Sequence, residues 1–284
     1  MNLAGVAVHG ISIAGVETCI QLPGFDLCLD IGRSSRSAIQ RPLVLVTHGH
    51  MDHMGGIASH CATRSLMGME PPTYVVPAEY VQDIRALFGV WRRLDGSRLS
   101  CNLIPAEPGS RIPIGPDREA RTFRTLHPVP SLGYAICSRK RKLKEEYVGL
   151  PGERIRDIRL SGVDVTREVW TPDVTFVGDS LLDIVEREPL CREARLLIHE
   201  VTFLDDRVNV AAARSKGHVH LDEIVARPEI LANQAVLFTH FSARYMLDEI
   251  REILNRRMPD VLRDRVSFLL PSRVRGHVSS PSGV

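Results

Sequence analysis

The sequence predicts an α/β fold in which short buried strands alternate with helices, and three observations support this. The apolar, partly β-branched run Leu43–Val46 is typical of a strand buried on both faces. A helix is expected over Ile57–Leu66, and Ala78–Phe88 has helical periodicity. Several of the expected strands run directly into a His, Asp or Glu, so the same pattern that predicts the fold also indicates where a functional site would form.

The remaining elements follow in chain order. Short strands are expected in Ala7–Val16, Thr18–Leu29, Tyr74–Val76, Thr122–Leu126, Val174–Val177, Arg195–Ile198, Ala235–Thr239 and Val266–Leu270. Helices are expected over Val219–Ala232, with a break near Pro228, and over Ala243–Asn255. Residues 1–271 are predicted to form one domain, and residues 272–284, which carry Ser, Pro and Gly, are predicted to form a flexible tail.

Composition excludes several classes of protein. A hydrophobic content of 44% and a charged content of 25% are those of an ordinary globular protein. The net charge of +2 provides no overall field for nucleic acid, so any such affinity must come from a local patch. The absence of an apolar run near 18 residues argues against a membrane span. The six cysteines are scattered without a CxxC pair, and the N-terminus does not have the pattern of a signal peptide, so a cytoplasmic protein with reduced thiols is expected.

The strongest local signal is the stretch THGHMDH, which follows the strand Leu43–Val46. It places His48, His50, Asp52 and His53 close together. If the buried strands lie side by side, the polar residues at their ends gather along one edge of the sheets. His127, Asp179 and His240 then join this cluster, and imidazole with carboxylate suits zinc and similar divalent ions.

These groups are too many for one ion, so the sequence predicts two metal ions about 3.5–4 Å apart. The first ion is assigned to His48, His50 and His127. The second is assigned to Asp52, His53 and His240, with Asp179 as the bridge. A hydroxide between the ions would be the nucleophile, because metal binding lowers the pKa of water toward roughly 7. An isolated histidine such as His60 is instead expected to be an ordinary surface or core residue.

The motifs resemble a known family. THGHMDH has the HxHxDH signature of the metallo-β-lactamase fold, and further segments occur in the order found in ribonuclease Z (tRNase Z), the tRNA 3′-processing endonuclease: HPVPSLGY, FVGDS, HEVTFLDD, GHVH and THFSARY. The resemblance extends from about Gly10 to Leu270 and is greatest to the short form of ribonuclease Z. It implies a four-layer αβ/βα sandwich with a dinuclear zinc site at one edge, Mn²⁺ or another divalent metal being the alternative.

The resemblance also implies catalytic roles. Asp52 would lie near the attacking water as a candidate general base. His218, in GHVH, would protonate the leaving 3′ oxygen, and Glu200, in HEVT, would hold that histidine. His220 is an additional histidine and remains an alternative to His218 as the acid. Asp30 is a candidate for orienting metal ligands.

Substrate contacts are expected in two places. Ser242 and Arg244, in THFSARY, would lie near a substrate phosphate according to the resemblance. The charged segment of residues 138–162 is predicted to be an excursion from the core that holds tRNA through its basic residues Arg139, Lys140, Arg141, Lys142 and Lys144. The alternative is a solvated loop without function. The resemblance further implies a homodimer, with the helical segment Gly55–Gly68 as a candidate interface.

The sequence therefore predicts a metal-dependent endoribonuclease that removes 3′ trailers from precursor tRNA by hydroxide attack on a phosphodiester. Three alternatives stay open. A small-molecule or cyclic-nucleotide phosphodiesterase would keep the metals without needing the basic residues. A thioesterase or lactamase-type hydrolase would leave Glu200 and His218 unexplained. An RNA-binding protein without activity would use its metals for structure alone, although structural sites are usually closed and hold one ion.

Overall fold

The computed structural model describes residues 1–270. Strands occupy β1 (Asn2–Leu3), β2 (Val6–Ala7), β3 (His9–Ala14), β4 (Glu17–Leu22), β5 (Leu27–Leu29), β6 (Leu43–Leu45), β7 (Thr73–Pro77), β8 (Asn102–Ala106), β9 (Arg111–Gly115), β10 (Arg118–Arg124), β11 (Leu132–Leu143), β12 (Thr166–Phe176), β13 (Leu196–Glu200), β14 (Ala235–Thr239), β15 (Phe241–Ser242) and β16 (Val266–Phe268). Helices occupy α1 (Met51–Met54), α2 (Ile57–Leu66), α3 (Val81–Asp95), α4 (Gly152–Leu160), α5 (Ile184–Arg187), α6 (Pro189–Glu193), α7 (Val210–Ser215), α8 (Leu221–Ala226), α9 (Leu247–Arg257) and α10 (Asp260–Arg263).

Two seven-stranded sheets form the centre of the protein. The first has the order β15-β3-β4-β5-β6-β7-β8 and the second has the order β16-β14-β13-β12-β11-β10-β9. Their facing sides share one apolar core, to which Leu45 and Val75 contribute from the first sheet and Tyr134 and Phe176 from the second. The predicted α/β class and the four-layer sandwich are confirmed, because separate apolar clusters join helices to the outer face of each sheet.

Strand direction brings the polar strand ends together. β5, β6, β7 and β8 run parallel in the first sheet. In the second sheet β12, β13, β14 and β16 run parallel, and β10 has the same direction as β12 because β11 is antiparallel to both. The carboxyl ends of parallel strands share one edge of a sheet, and the loops that carry the candidate ligands leave the strands there.

Most predicted elements are present, with shifted ends. The helix Ile57–Leu66 is confirmed at its predicted bounds. The helix expected over 219–232 is interrupted at Pro228, where a short 3₁₀ turn follows α8, because proline cannot continue the hydrogen-bonded ladder. The helix expected from Ala243 begins only at Leu247, since Phe241 and Ser242 pair with β3 and the chain must then turn.

The charged segment differs in part from the prediction. Its basic run is not a loop but the outer half of β11, which pairs with the beginning of β12 from Ser138 opposite Thr171 to Leu143 opposite Thr166. We call residues 138–171 the hairpin arm. Helix α4 lies at its tip and has no buried residue, so the tip lies outside the core, whereas Trp170 at the base of the arm packs against it. The single domain of residues 1–271 stays a prediction, and the predicted tail, residues 272–284, lies outside the described residues.

No helix within residues 1–270 is both long and apolar enough to cross a membrane.

Candidate metal centre

Close backbone packing places the ligand loops at the shared edge of the sheets. His48, His50, Asp52 and His53 lie in the turn between β6 and the end of α1. A Cβ at Gly32 would lie 2.0 Å from the carbonyl oxygen of Asp52, so only glycine allows this turn to pack against the chain after β5. Gly178, with φ of +62°, similarly lets the loop that carries Asp179 pass against Thr47.

The first predicted set of ligands is brought together around one point. His48 Nε2 lies 2.9 Å from His50 Nδ1. The His127 ring centroid lies 4.9 Å from that of His48 and 5.2 Å from that of His50. Asp179 Oδ2 lies 3.7 Å from His48 Nε2, which brings the carboxylate to the edge of this set.

The second predicted set lies beside the first. His53 Nε2 is 3.2 Å from His240 Nε2, and Asp52 Oδ2 is 3.4 Å from the same His240 atom. Asp179 Oδ1 lies 3.3 Å from His53 Nε2 and 3.4 Å from His240 Nε2. The two oxygens of Asp179 therefore face different sets, which is the geometry that a bridging carboxylate needs. We call the seven residues of the two sets the ligand edge.

The other ring nitrogens of four histidines are held from outside the cluster. His53 Nδ1 lies 2.7 Å from Asp30 Oδ2, His48 Nδ1 lies 2.9 Å from Thr47 Oγ1, and His127 Nδ1 lies 3.2 Å from the Gly217 carbonyl. His240 Nδ1 lies 3.1 Å from Thr202 Oγ1. Such partners set the tautomer and ring orientation of metal-ligating histidines.

The ligand atoms that face the middle of the ligand edge fit divalent metal ions. His127 Nε2 and Asp179 Oδ1 are buried and have no hydrogen bond of good geometry with any atom of residues 1–270. Buried polar atoms normally find a partner, so two such atoms in one cluster indicate a missing ligand. Nitrogen donors from five histidines, together with two carboxylates, form a donor set suited to zinc.

His48 and Asp179 are in the protonation states that bind a cation, whereas burial of His53 is outweighed by the charges of Asp179 and Asp30, which raise its pKa well above the usual range. Burial lowers the pKa of His48 well below its usual range, which keeps the imidazole neutral. Burial raises the pKa of Asp179, but the neighbouring His240 and His53 outweigh it, so the net pKa is well below the usual range. Neutral imidazole and ionised carboxylate are the forms that bind a cation.

A second pair of groups, Glu200 and His218, lies beside the ligand edge. The fully buried Glu200 places Oε1 2.9 Å from His218 Nδ1 and also accepts hydrogen bonds from the Ser180 and Val219 amides. Burial lowers the pKa of His218, but the Glu200 charge and hydrogen bond outweigh it and raise the pKa to about 9. The His218 ring stacks at 5.5 Å on the ring of His240, so a protonated imidazole stands next to the second set of ligands.

The structure separates the two candidate acids. His220 is buried, its Nδ1 accepts a hydrogen bond from the Asp222 amide at 3.1 Å, and its Nε2 lies 3.1 Å from the Asp205 carbonyl. Both nitrogens thus contact backbone, and the Nδ1 contact caps helix α8. His218 uses only Nδ1 among the described contacts, which leaves Nε2 available for proton transfer.

The predicted phosphate contacts are placed on a firmly held turn. The Ser242 amide donates to the Thr202 carbonyl at 3.0 Å, and the Arg244 side chain is exposed. The Arg207 guanidinium lies 4.5 Å from the centroid of the Tyr245 ring and donates to the Arg244 carbonyl at 3.3 Å. These contacts fix the turn without occupying the Arg244 side chain.

The basic residues of the hairpin arm are less free than the sequence predicts. Arg139 pairs with Asp117 and Glu168, Lys140 with Asp173, and Arg141 with Asp164. Lys142 and Lys144 form no ion pair within 4.0 Å in the described part of the chain. Acidic residues distant in sequence therefore partly neutralise the run, and Lys142 and Lys144 are its members without an ion pair in this part of the chain.

Two hydroxyl residues of the site were missed by the sequence analysis. Thr47 Oγ1 contacts Asp30 and His48, and Thr202 Oγ1 contacts Glu200 and lies 3.1 Å from His240 Nδ1. Thr47 directly precedes His48, and Thr202 lies within HEVT, so their position in the motifs was an available signal. Asp30 lies against His53 Nδ1, as expected of a group that orients a metal ligand.

Comparison with known proteins supports a family assignment. Residues 33–241 match the model of the β-lactamase superfamily domain. The chain is 42% identical to tRNase Z TRZ1 of Arabidopsis thaliana over 95% of this chain and 96% of that protein. It is 36% identical to the chloroplastic tRNase Z TRZ2 of the same plant, over 89% of this chain and 72% of that protein. The crystal structure of the short form of human tRNase Z superposes with a TM-score of 0.57 at 19% identity, covering 93% of this chain and 95% of that one, and this likeness concerns the fold alone.

Proposed function

The chain belongs to the tRNase Z family of the β-lactamase superfamily, and from this premise we propose that its ligand edge binds two divalent metal ions and cuts precursor tRNA at the start of the 3′ trailer. It is an endoribonuclease that acts on precursor tRNA. The observation that carries the proposed site is the convergence of seven ligand side chains, among which four histidines have their outer nitrogens held and the buried atoms His127 Nε2 and Asp179 Oδ1 lack partners among the described residues. The small-molecule phosphodiesterase is not favoured, because the relatives that match most of the chain carry the name tRNase Z.

The proposed ions are zinc, with Mn²⁺ as the alternative. His48, His50 and His127 would hold one ion, Asp52, His53 and His240 the other, and Asp179 would contact both. When bound, the ions supply an acidified water and neutralise charge on the phosphate. Asp52 would accept a proton from that water: burial raises its pKa, but the hydrogen bond with His240 and the charge of His53 outweigh it, so the carboxylate stays ionised.

Proton delivery to the leaving group is assigned to His218. Its Nε2 faces away from Glu200, and the charge of Glu200 keeps the ring protonated at neutral pH. As the 3′ oxygen departs, Nε2–H would donate its proton to that oxygen, and the buried Glu200 would stabilise the orientation of the ring. Ser242 and Arg244 would contact a non-bridging phosphate oxygen from the turn after β14.

The remaining substrate contact is assigned to the hairpin arm. Lys142 and Lys144 would bind phosphates of the tRNA body away from the reacting bond, which positions the substrate without reading its sequence. The paired Arg139, Lys140 and Arg141 would contribute less, since an approaching phosphate must compete with their carboxylate partners.

A homodimer is proposed through the outer surface of α3. The exposed apolar residues of this surface are Leu87, Val90, Trp91 and Leu94. A groove of about 230 Å³ between α2 and α3 is lined by Ala58, Ala62 and Trp91, so the surface includes the predicted segment Gly55–Gly68 but extends beyond it. Apolar surface of this kind is typical of contact sites, and sedimentation of a Trp91→Ser variant at micromolar concentration tests it.

The proposed compartment is the cytoplasm. All six cysteines are free thiols in the structure, which suits a reducing compartment. Imaging of the tagged protein in its own cells would test this, and the chloroplastic name of one relative makes an organelle the alternative outcome.

The experiment that tests the function is cleavage of a precursor tRNA with a 3′ trailer, resolved to single nucleotides. A cut after the discriminator nucleotide is expected. The double variant Lys142→Gln/Lys144→Gln should lower kcat/KM for this RNA by about tenfold and leave hydrolysis of bis-p-nitrophenyl phosphate unchanged, because two phosphate contacts are lost. Hydrolysis of the small ester without any cut in the RNA would contradict the proposal and favour a small-molecule phosphodiesterase.

A further inference from the structure

Two arginines face each other across the outermost strands of the second sheet. Arg111 on β9 is directly opposite Arg121 on the antiparallel strand β10. Their neighbours Ile112 and Ala120 are buried in the core between the sheets. Since side chains alternate along a strand, both arginines lie on the opposite, outer face of the sheet.

The two guanidinium groups are not equally satisfied. Arg121 Nε donates to Glu119 at 2.6 Å, and its guanidinium carbon lies 5.9 Å from the centroid of the Trp170 ring. Arg111 is exposed and forms no side-chain hydrogen bond or ion pair with any residue in the range 1–270. The charge of Arg121 is thus compensated by Glu119, whereas that of Arg111 has no partner among the described residues.

Protection of the sheet edge does not account for this pair. β9 is the edge strand, and a charged side chain there would discourage pairing with another molecule. One charge on β9 would serve that purpose. Protection of the edge does not require a second arginine opposite the first, because β10 is already paired on both sides.

The arginines line a groove of about 350 Å³, to which Arg124 also contributes. Glu188 is in the same groove, but its carboxylate accepts a hydrogen bond from the Leu190 amide at 3.0 Å and caps helix α6. Arg124 contributes to the groove wall, but its guanidinium reaches Glu79, so the groove offers the guanidinium of Arg111, which has no ion pair within residues 1–270, beside that of Arg121. Guanidinium groups bind phosphate oxygens through two parallel hydrogen bonds.

The groove is connected to the ligand edge through the chain itself. Arg124 is the last residue of β10, and the same segment continues to the predicted ligand His127. Arg124 reaches Glu79 at 3.8 Å. The next residue, Tyr80, donates a hydrogen bond to the Pro130 carbonyl at 2.8 Å, and its ring would lie 3.3 Å from a Cβ at Gly49, between His48 and His50.

We propose that the groove formed by Arg111, Arg121 and Arg124 binds a backbone phosphate of the RNA substrate and is a second anchoring site, separate from the hairpin arm. The inference rests on the proposed function, because it assumes an RNA substrate at the ligand edge. A phosphate in the groove would give Arg111 the partner that it lacks within residues 1–270, and Arg121 borders the same groove.

The test compares Arg111→Gln with Arg256→Gln as the control. Arg256 is an exposed arginine on α9 whose only ion pair within residues 1–270 is the surface contact with Glu252 at 3.7 Å, so both variants lose one surface charge. Arg111→Gln should raise KM for precursor tRNA about threefold to tenfold with kcat nearly unchanged, and should reduce the slope of log(kcat/KM) against log[salt] by about 0.7–0.9. Arg111→Lys, which keeps the charge, should retain most of the salt slope.

The readouts separate the possible failures. If the wild type cuts precursor tRNA but Arg111→Gln matches Arg256→Gln in both KM and salt slope, the groove is not an RNA site and the proposed function stands. If the wild type does not cut precursor tRNA, the proposed function fails first. If Arg111→Gln does raise KM, substrates with long and with single-nucleotide 3′ trailers locate the bound phosphate. A rise confined to long trailers places the phosphate in the trailer, and an equal rise with both substrates places it in the tRNA body. Thermal unfolding of each variant checks that the fold is retained.

Discussion

The ligand edge and the hairpin arm carry charged residues in opposite ways. At the ligand edge, His48, His53 and Asp179 are almost completely buried, and each has several polar neighbours within 4 Å. On the hairpin arm, Arg141 and Asp164 are each more than half exposed and pair in water. The comparison contrasts a preorganised buried cluster, to which we assign the chemistry, with a solvated charged surface, to which we assign the holding of the substrate.

The physical difference is the cost of misplacing a charge. A buried carboxylate such as Asp179 has lost its hydration, so its partners must be present and correctly placed. An exposed ion pair adds little to the free energy of unfolding, because water already solvates both groups. Substitutions at the two regions should therefore differ strongly in effect, and four predictions follow this order from large to small.

Asp179→Asn should have the largest effect. The amide keeps the volume but removes the charge that faces both ligand sets, so bound metal should fall from two ions and cleavage of precursor tRNA should drop by more than about 10³-fold. Metal content by mass spectrometry and single-turnover cleavage measure this. Asp117→Asn, which removes an exposed carboxylate beside Arg139, is the control. Retention of two ions with full activity would show that Asp179 is not a ligand.

His218→Ala should follow. Loss of a general acid costs about 10²–10⁴-fold in rate, or roughly 3–5 kcal/mol, while metal content should stay at the wild-type value. The matched variant His220→Ala removes a helix cap, so it should lower stability by about 1 kcal/mol and leave kcat nearly unchanged in the folded protein. The reverse result, with His220→Ala slow and His218→Ala normal, would assign the acid to His220.

His60 should make stability depend on pH. It is fully buried, its Nδ1 lies 2.8 Å from the Tyr74 hydroxyl, and burial lowers its pKa to about 4. The neutral ring is favoured in the folded protein, so this stability is complete above the unfolded pKa of about 6.5 and is lost as pH falls toward 4, by about 3 kcal/mol in all. Urea unfolding from pH 7 to pH 4 measures the loss, and His60→Gln should remove most of that pH dependence.

The smallest effect should come from the hairpin arm. A double-mutant cycle of Arg141→Gln and Asp164→Asn should give a coupling free energy below about 1 kcal/mol, because both groups are exposed and screened. Thermal unfolding at low and high salt provides the measurement. A coupling of several kcal/mol would mean that the arm is held as rigidly as the ligand edge, and the contrast between the two regions would be lost.

Local sequence was enough to predict most of the strands around the site and the group of ligand candidates, whereas the four-layer order followed from the family resemblance and strands β8, β9 and β11 were not predicted. Val44 and Leu45 are apolar because both faces of β6 are covered, and the polar residues after Val46 mark the point where the strand leaves the core. These signals lie within a few residues of each other, so they can be recognised in the sequence without knowledge of the tertiary contacts. The bounds of β11 were not predictable in this way, because its charged outer half is stabilised by pairing with a distant strand.

The sequence by itself determined which side chains could bind metal, since residue type and spacing decide that chemistry, and the proton donor followed from the family resemblance. Only the tertiary structure decided which of those atoms are available. It placed Glu200 against His218 and backbone groups against both nitrogens of His220, and it set Arg111 opposite Arg121. The partners in each case come from separate segments of the chain, so packing, and not local pattern, determines whether a charged or titratable group is satisfied or free.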